Sequence, residues 1–258
     1  MTKVANHPCS LIVIPTYNEA DNLEPLISAI LALNAGFEIL VVDDNSPDGT
    51  GEIADRLSQE LAEIHVLHRP GKMGLGTAYV TGFDWAIAHG YDNVFEMDCD
   101  FSHDPSYLPA FLTEITGADL VIGSRYVKGG STPSWGLLRR LISRGGNWFA
   151  RFMLGLRTHD CTGGFRCYRR EILQRVPWEE IRLQGYGFQV GAVYHVERLG
   201  GRTVEIPIVF PDRRAGQSKM SLKIIVEAFT YVLRLALSER GRRNAQGVKS
   251  EYLHESQI

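Results

Sequence analysis

Several large classes of protein are excluded by what this sequence has little of. Four cysteines, Cys9, Cys99, Cys161 and Cys167, occur in 258 residues. They are too few and too irregularly spaced for a zinc knuckle or a dense disulfide framework. The longest apolar-rich stretch, residues 222–237, carries Lys223, Glu227 and Arg234. A spanning helix needs about 20 mostly uncharged residues, so this segment is not expected to cross a bilayer. The opening MTKVANHPCS has no long apolar core of the kind a secretion signal uses, and the cytoplasm is the expected compartment. There is no internal repeat, and no Pro- or Gly-rich linker divides the chain. Nor is one sign of charge in excess, because 27 Lys+Arg stand against 30 Asp+Glu for a net of −3. With 44% hydrophobic and 22% charged residues, disorder, collagen-like repeats and coiled coils are excluded as well. A globular chain with ample material for a core is left.

Short β-rich runs alternate with helical patterns through the first half. Strands are expected at Ser10 to Ile14, Phe37 to Val42, Ile64 to Leu67, Val94 to Met97 and Leu120 to Ile122. Helices are expected over 21–33, from the turn after Val42 to about Leu61, over 74–89, and from near Pro105. Near-continuous apolar strands alternating with helices predict an α/β fold with a mostly parallel central sheet covered by helices on both faces. Ligands of such sheets bind beyond the carboxyl ends of the strands. The second half is less regular. A helix is expected over 135–154, weakened at Gly145-Gly146, then a strand over 204–210, a loop over 212–218 and a helix over 221–238. One composite domain over 1–240 is expected, with halves of about 8–124 and 125–240, followed by a polar tail over 241–258.

Charge is spread unevenly along the chain. Residues 1–124 hold 4 basic and 19 acidic side chains, whereas residues 125–175 hold 11 basic and 2 acidic. Two surfaces with different tasks are implied, the basic one facing nucleic acid, anionic lipid or a phosphate-bearing substrate.

The acidic residues gather at strand ends. Asp98-Cys99-Asp100 follows the fourth strand, where two carboxylates one residue apart can reach a single divalent cation through hard oxygens. The same pair also suits turn acids capping the next helix, and His103-Asp104-Pro105 suits a helix start. Pro15-Thr-Tyr17-Asn-Glu19 ends the first strand and Val42-Asp-Asp44-Asn-Ser-Pro-Asp48 the second. Tyr17 can stack on a base, and Glu19 and Asp44 can accept hydrogen bonds from a nucleoside; ordinary turn and cap chemistry is the alternative. Gly71-Lys-Met-Gly74-Leu-Gly76 lacks the third glycine of a dinucleotide fingerprint and is no Walker loop, which leaves a tight helix entry near a ligand. Arg125 closes the last strand of the first half, while Arg139 and Ser143 lie four apart on one helix face. Arg213 and Lys219 flank Gly216 in a loop suited to gripping phosphate. Arg140, Arg144, Asn147 and Arg151 form one stripe, with Leu137, Leu141, Trp148 and Phe152 elsewhere. This arrangement suits a bilayer surface or packing on the core. Cys99, Cys161 and Cys167 read as small buried hydrophobes.

Assembled, these segments resemble family 2 of the inverting glycosyltransferases over about Ser10 to Leu237. The markers are IPTYNE at 14–19, VVDDNSPDGT at 41–50, GLGTAY at 74–79, MDCDFSHDP at 97–105, GSRYVKGG at 123–130 and RRAGQSKMS at 213–221. The last two favour the branch that glycosylates lipid phosphates. The resemblance implies a nucleotide-diphospho-sugar fold of the GT-A type. It implies that Pro15, Tyr17, Glu19, Val42 and Asp44 hold the nucleoside, and that Asp98, Cys99 and Asp100 meet the diphosphate and a Mg²⁺ or Mn²⁺ ion. Gln189 is counted with the donor-binding residues. Ser102 stands where the family often has a glutamine metal ligand, and its shorter side chain reaches the ion directly or through water. Arg125, Arg139 and Ser143 would receive the acceptor phosphate, and Arg213 and Lys219 would clamp the donor.

The implied reaction moves mannose from GDP-mannose to a polyprenyl phosphate with inversion. The alternatives are a glucosyl transferase using UDP-glucose, a sugar-1-phosphate nucleotidyltransferase, and a non-catalytic binding module. Family members often carry C-terminal transmembrane helices, and none is expected within these 258 residues. Contact with the cytoplasmic face of a membrane is therefore expected to be peripheral, directly or through a separate anchoring protein. No nucleic-acid partner is expected.

Overall fold

Apolar runs too continuous for a half-exposed strand make up the centre of the molecule. In the computed structural model, which describes residues 9–181, 185–211 and 226–238, β1 (Ser10–Thr16) and β2 (Phe37–Asp43) are buried along nearly their whole length. They join β3 (Ile64–His68), β4 (Asn93–Glu96), β5 (Leu120–Ser124), β6 (Arg166–Arg169) and β7 (Thr203–Pro207) in one sheet of order β3-β2-β1-β4-β6-β5-β7. β3, β2, β1 and β4 run parallel to one another, as do β5 and β7. β6 is antiparallel to both β4 and β5. The carboxyl ends of the six other strands therefore share one edge, which puts the segment after β4 and the segment after β5 on the same rim.

Side chains alternate across the pleat into two cores. Leu11, Val13, Leu40 and Val42 face one way, among Tyr79 and Phe83 of α3 (Leu75–Ala88) and Phe188 of α7 (Tyr186–Arg198). Ile12, Ile14, Ile39 and Val41 face the other, against α1 (Ala20–Leu31), α2 (Thr50–Glu60) and α4 (Leu108–Ile115). Gly82 sets how closely α3 approaches the sheet, since a Cβ there would lie 2.4 Å from Val13 Cγ1. This is the mostly parallel sheet with helices on both faces that the sequence predicts.

The rest of the chain departs from expectation at several elements: no helix is expected where α7 lies, and the strand expected over 204–210 is β7, ending at Pro207. β6, which the sequence reading passes over, completes the sheet between β4 and β5. The long helix, α5 (Leu137–Leu154), starts two residues later than expected and runs through Gly145 and Gly146 without a break. Gly145 faces solvent and Gly146 borders a groove, and among the described residues nothing lies within 4 Å of a Cβ placed on either. α6 (Arg170–Leu173) and α7 follow, and residues 226–238 form a last helix, α8, within the expected span. Cys99, Cys161 and Cys167 are buried free thiols, while Cys9 is exposed.

Candidate active site

The turn that follows β4 is built around a left-handed residue. Phe101 has φ +59°, uncommon for a bulky side chain and mostly found where surrounding contacts fix the turn. Ser102 N donates to Asp100 Oδ1 at 3.0 Å, folding the turn back onto its own carboxylate. Asp98 is held from two sides: Tyr79 Oη donates to its Oδ1 at 3.0 Å, and its backbone N–H donates to His103 Nδ1 at 2.9 Å. The His103 ring stacks on Phe165, centroids 4.9 Å apart. Asp104 caps the short helix that begins at Pro105 by accepting from Ser106 N, so His103 and Asp104 do have the structural task the sequence suggests.

Ser102 Oγ is buried and finds no hydrogen-bond partner among the described residues. A buried hydroxyl without a partner is costly, and here it sits on the same turn as the two aspartates. Asp98, Asp100 and Ser102 thus offer three hard oxygen donors, a set that suits Mg²⁺ or Mn²⁺. Among the described residues no group of three or more His, Cys, Asp or Glu side chains could hold a metal. A cation held here would draw the rest of its shell from water and from substrate phosphates, as Mg²⁺ usually does. Cys99 points away into the core; burial and the neighbouring carboxylates push its thiol well up, so it brings backbone but no thiolate to the turn.

Beneath the turn lies a buried polar cluster. Glu96 accepts from Tyr168 Oη at 3.0 Å and from Gln189 Nε2 at 2.7 Å. Burial pushes its carboxyl up to about 7, against the pull of Arg166, Gln189 and Tyr168. Gln189 is therefore engaged below the acidic turn, and its Oε1 has no hydrogen-bond partner among the described residues. Arg166 spans Gly163 O, Cys161 O, Gln189 O and Tyr168 Oη, tying the 161–163 loop to α7.

The residues expected to hold a nucleoside lie at the neighbouring strand ends. Tyr17 is half-buried with Lys72 Nζ 4.2 Å from its ring centroid, an arrangement a cation–π contact favours. Glu19 accepts from Asn22 Nδ2 at 2.8 Å. Asp44 is buried and paired with Arg69, whose Nε lies 2.6 Å from Asp44 Oδ1. Arg69 Nη1 in turn donates to Thr77 Oγ1 at 2.9 Å. Val42 is wholly inside the core, which leaves its backbone as the part able to meet a ligand. Pro15 is half-buried at the end of β1.

On the same rim, beyond β5, a groove runs between α5 and α8. Trp135, Arg139, Ser143, Phe149, Tyr186 and Phe229 are among the residues around its cavity of about 110 Å³. The groove is mostly apolar. Phe149 and Phe229 stack across it with centroids 4.1 Å apart. Among its polar groups, the Arg139 guanidinium lies 3.9 Å from the Trp135 ring centroid and Ser143 Oγ accepts from Tyr126 Oη at 2.6 Å. Arg125 lies below, its side chain 4% exposed and gripped by Asp160 through Nε at 2.7 Å and Nη2 at 2.6 Å. Burial works against its charge, yet Asp160 outweighs this and holds its pKa up. Arg125 also donates to Thr162 Oγ1 at 2.8 Å, and Asn147 Nδ2 donates to the same oxygen at 3.0 Å. The 160–164 loop joins this floor to the acidic turn: a Cβ on Gly164 would lie 3.5 Å from Gln189 Nε2 and 3.7 Å from His103 Cε1.

α5 turns its apolar side chains outward. Leu137, Leu138, Leu141, Trp148 and Phe152 are 59–74% exposed, and Arg140, Arg144 and Arg151 flank that stripe. Packing of the stripe onto the core is thereby corrected: Asn147 and Ala150, on the opposite side, are the buried residues of this helix. Among the described residues no helix is long and apolar enough to cross a membrane. Arg213 and Lys219 lie outside the described residues.

A GT-A sheet with a carboxylate turn at its carboxyl rim defines a class, and residues 11–176 match the family described as glycosyl transferase family 2. The chain belongs to that family. Among its relatives, an undecaprenyl-phosphate mannosyltransferase of Micrococcus luteus is 46% identical over 230 residues, which is 89% of this chain and 95% of the relative. A polyprenol monophosphomannose synthase of Mycolicibacterium smegmatis is 43% identical over 242 residues, 93% of this chain and 91% of the relative. In fold the chain is similar to glucosyl-3-phosphoglycerate synthase from Mycobacterium tuberculosis, solved with Mn²⁺, UDP and glucosyl-3-phosphoglycerate (TM-score 0.62, 23% identity, 91% of this chain and 80% of that one). It is also similar to a mannosyltransferase from Pyrobaculum calidifontis solved with GDP-Man and Mn²⁺ (TM-score 0.52, 15% identity, 96% and 81%).

Proposed function

We propose that this protein transfers mannose from GDP-mannose to a polyprenyl phosphate, releasing GDP and inverting the anomeric carbon. The carrying observation is the juxtaposition on one rim of a hard-oxygen turn, with its buried unpartnered Ser102 hydroxyl, and an apolar groove headed by Arg139 and Ser143. Relatives at 43–46% identity named undecaprenyl-phosphate mannosyltransferase and polyprenol monophosphomannose synthase support the same reading. Asp98 and Asp100, with Ser102 directly or through water, would hold Mg²⁺ or Mn²⁺. Such a cation supplies Lewis-acid stabilisation of the departing diphosphate. Pro15, Tyr17, Glu19, the Val42 backbone and Asp44 would hold the nucleoside, Gln189 would steady the turn through Glu96, and Arg213 and Lys219 would close on the diphosphate.

The nucleophile needs no general base. A phosphate monoester has a second pKa of about 6 and is already ionised at neutral pH. A phosphate oxygen attacks C1 from the face opposite the diphosphate, the new C–O bond forms as the old one breaks, and the electron pair leaves with GDP. Bringing two anions together is the harder task. Arg139 and Ser143 would take the acceptor phosphate, with Arg125 adding positive charge from the groove floor, and the groove's apolar walls would receive the first lipid units. Arg139→Ala should therefore raise KM for lipid phosphate by about tenfold or more, the worth of a hydrogen bond to a charged group, with a smaller effect on KM for GDP-mannose. Initial rates at varied acceptor and donor check this; equal effects on both would contradict it.

Membrane contact would be peripheral, at the cytoplasmic face, with or without an anchoring protein. The exposed Leu137, Leu141, Trp148 and Phe152 between Arg140, Arg144 and Arg151 suit an interface rich in anionic lipid. Replacing Trp148 and Phe152 together with Glu should weaken sedimentation with anionic vesicles by about tenfold or more, given the apolar area removed. Unchanged binding would place the contact elsewhere.

The reaction itself is tested with radiolabelled sugar nucleotides and polyprenyl phosphate. Label from GDP-mannose in a mild-acid-labile lipid, with GDP released, is the expected result. Label from UDP-glucose would mean the glucosyl reading, pyrophosphate release a nucleotidyltransferase, and tight binding without product a non-catalytic module.

A further inference from the structure

The glycine-rich entry to α3 and the helix behind it have no task in the proposed reaction, yet α3 touches both halves of the donor site. We propose that α3 is the positioning bracket of that site: Tyr79 orients the Asp98 carboxylate for the cation, and Arg69 with Thr77 separately orients Asp44 for the nucleoside. The inference rests on the reading that a cation binds at Asp98 and Asp100.

Tyr79 is wholly buried, its ring between Phe83 (centroids 6.2 Å apart, 20° between planes) and Phe188 (6.4 Å, 12°). Its hydroxyl reaches out of this stack to one polar atom, Asp98 Oδ1, at 3.0 Å. A donor fixed on Oδ1 selects one rotamer of Asp98 and leaves Oδ2 for a cation. The helix carrying Tyr79 has little freedom to shift, because Gly82 already lies against Val13. Outer partners of this kind orient metal ligands, and their loss typically weakens metal binding by tenfold or more.

One turn earlier the same helix fixes the nucleoside side. The Arg69 fork spans Asp44 Oδ1, Thr77 Oγ1 and Gly74 O, and its backbone N–H donates to Asp43 O at 2.8 Å. Gly74 takes φ +106° at the helix entry, a conformation that glycine adopts freely. The glycine run thus places a carbonyl and a hydroxyl within reach of Arg69, where a phosphate loop would have placed N–H groups around a ligand.

The bracket predicts that its two ends separate under mutation. Full-length Tyr79→Phe and Arg69→Lys are compared with wild type in two assays: GDP binding by calorimetry in EDTA, and Mn²⁺ binding by electron paramagnetic resonance at saturating GDP. Tyr79→Phe keeps the ring stack and removes one hydroxyl; it should lose about tenfold in Mn²⁺ affinity and keep its GDP affinity. Arg69→Lys keeps the charge and loses the planar fork; it should lose about tenfold in GDP affinity and keep its Mn²⁺ affinity. Wild-type Mn²⁺ affinity in Tyr79→Phe would overturn the proposal, as would loss of both affinities in either variant, the mark of a general defect in α3. A wild-type protein that binds no Mn²⁺ would instead overturn the cation site on which the proposal rests.

Discussion

Asp100→Ala should lower kcat by about a thousandfold or more, since a bound metal stabilises developing charge by several kcal/mol and each 1.36 kcal/mol is tenfold. Asp100 is one of two carboxylates on a turn whose backbone is already committed: Phe101 sits at φ +59°, and Ser102 N closes on Asp100 Oδ1 at 3.0 Å. Alanine removes a charge from the cation and the acceptor that folds the turn, so Ser102 should move as well. Both losses strike the same ion. The defect should fall on kcat at saturating GDP-mannose and saturating lipid phosphate, and excess Mn²⁺ should recover part of it. Lipid product formed over a Mn²⁺ series is the measurement. Near-normal turnover in Asp100→Ala would remove the metal from the mechanism.

Asp160→Ala should cost about 3–5 kcal/mol, the usual penalty for stranding one partner of a buried ion pair. At about 2–4 °C per kcal/mol for a chain of this size, the melting temperature should fall by roughly 10 °C. Asp160 is fully buried and accepts from Arg125 N, Arg125 Nε, Arg125 Nη2 and Gly163 N, all within 3.0 Å. Without it the Arg125 guanidinium is left beneath the rings of Tyr126, Trp135 and Phe210 with no carboxylate opposite. The pH dependence has a definite sign. Burial opposes ionisation of Asp160, but Arg125 outweighs it and holds the carboxyl below its ordinary value. The stabilisation is therefore complete above the ordinary carboxylate range and is lost only as pH falls through the lowered value. Replacing both partners with apolar residues, as in Arg125→Met with Asp160→Leu, should restore part of the loss. Denaturant unfolding of the three proteins at neutral pH checks this, and a loss under about 1 kcal/mol in Asp160→Ala would contradict the penalty expected of a buried pair.

The first half of the fold was legible because its strands are buried on both faces and read as unbroken apolar runs; β1 and β2 needed little more. β6 was not. Arg166-Cys-Tyr-Arg169 begins and ends on arginine, and a buried strand with an arginine at its head runs against composition. Arg166 is nevertheless 0% exposed, because three carbonyls and a tyrosine hydroxyl satisfy its guanidinium. Gly163, Cys161 and Tyr168 lie within five residues of it and Gln189 lies 23 positions on, and no periodic pattern announces such a set.

The gathering of three acidic strand ends on one rim was legible from the order of strands and turns. Two pairings that set the geometry of the rim, Arg69 with Asp44 at the acidic turns and Arg125 with Asp160 beside the groove, join residues 25 and 35 positions apart, and periodicity carries no such information. The arginine stripe of α5 was visible as an amphipathic pattern. Spacing defines two faces but not which of them meets protein, and here the small side, Gly146 and Ala150 with Arg139 and Ser143, borders the groove. Tyr79 had a signal of sorts, as the last residue of GLGTAY, but its partner Asp98 lies 19 positions on.

The most direct test of the whole account is diffraction from the protein with GDP and Mn²⁺, using the anomalous signal of manganese. The expected result is a manganese peak bonded to the Asp98 and Asp100 carboxylates and to diphosphate oxygen, with the nucleoside between Tyr17 and Asp44 and the groove beside Arg139 left open for the lipid phosphate. A manganese and diphosphate bound away from that turn, with the nucleotide lying in the α5–α8 groove, would contradict it.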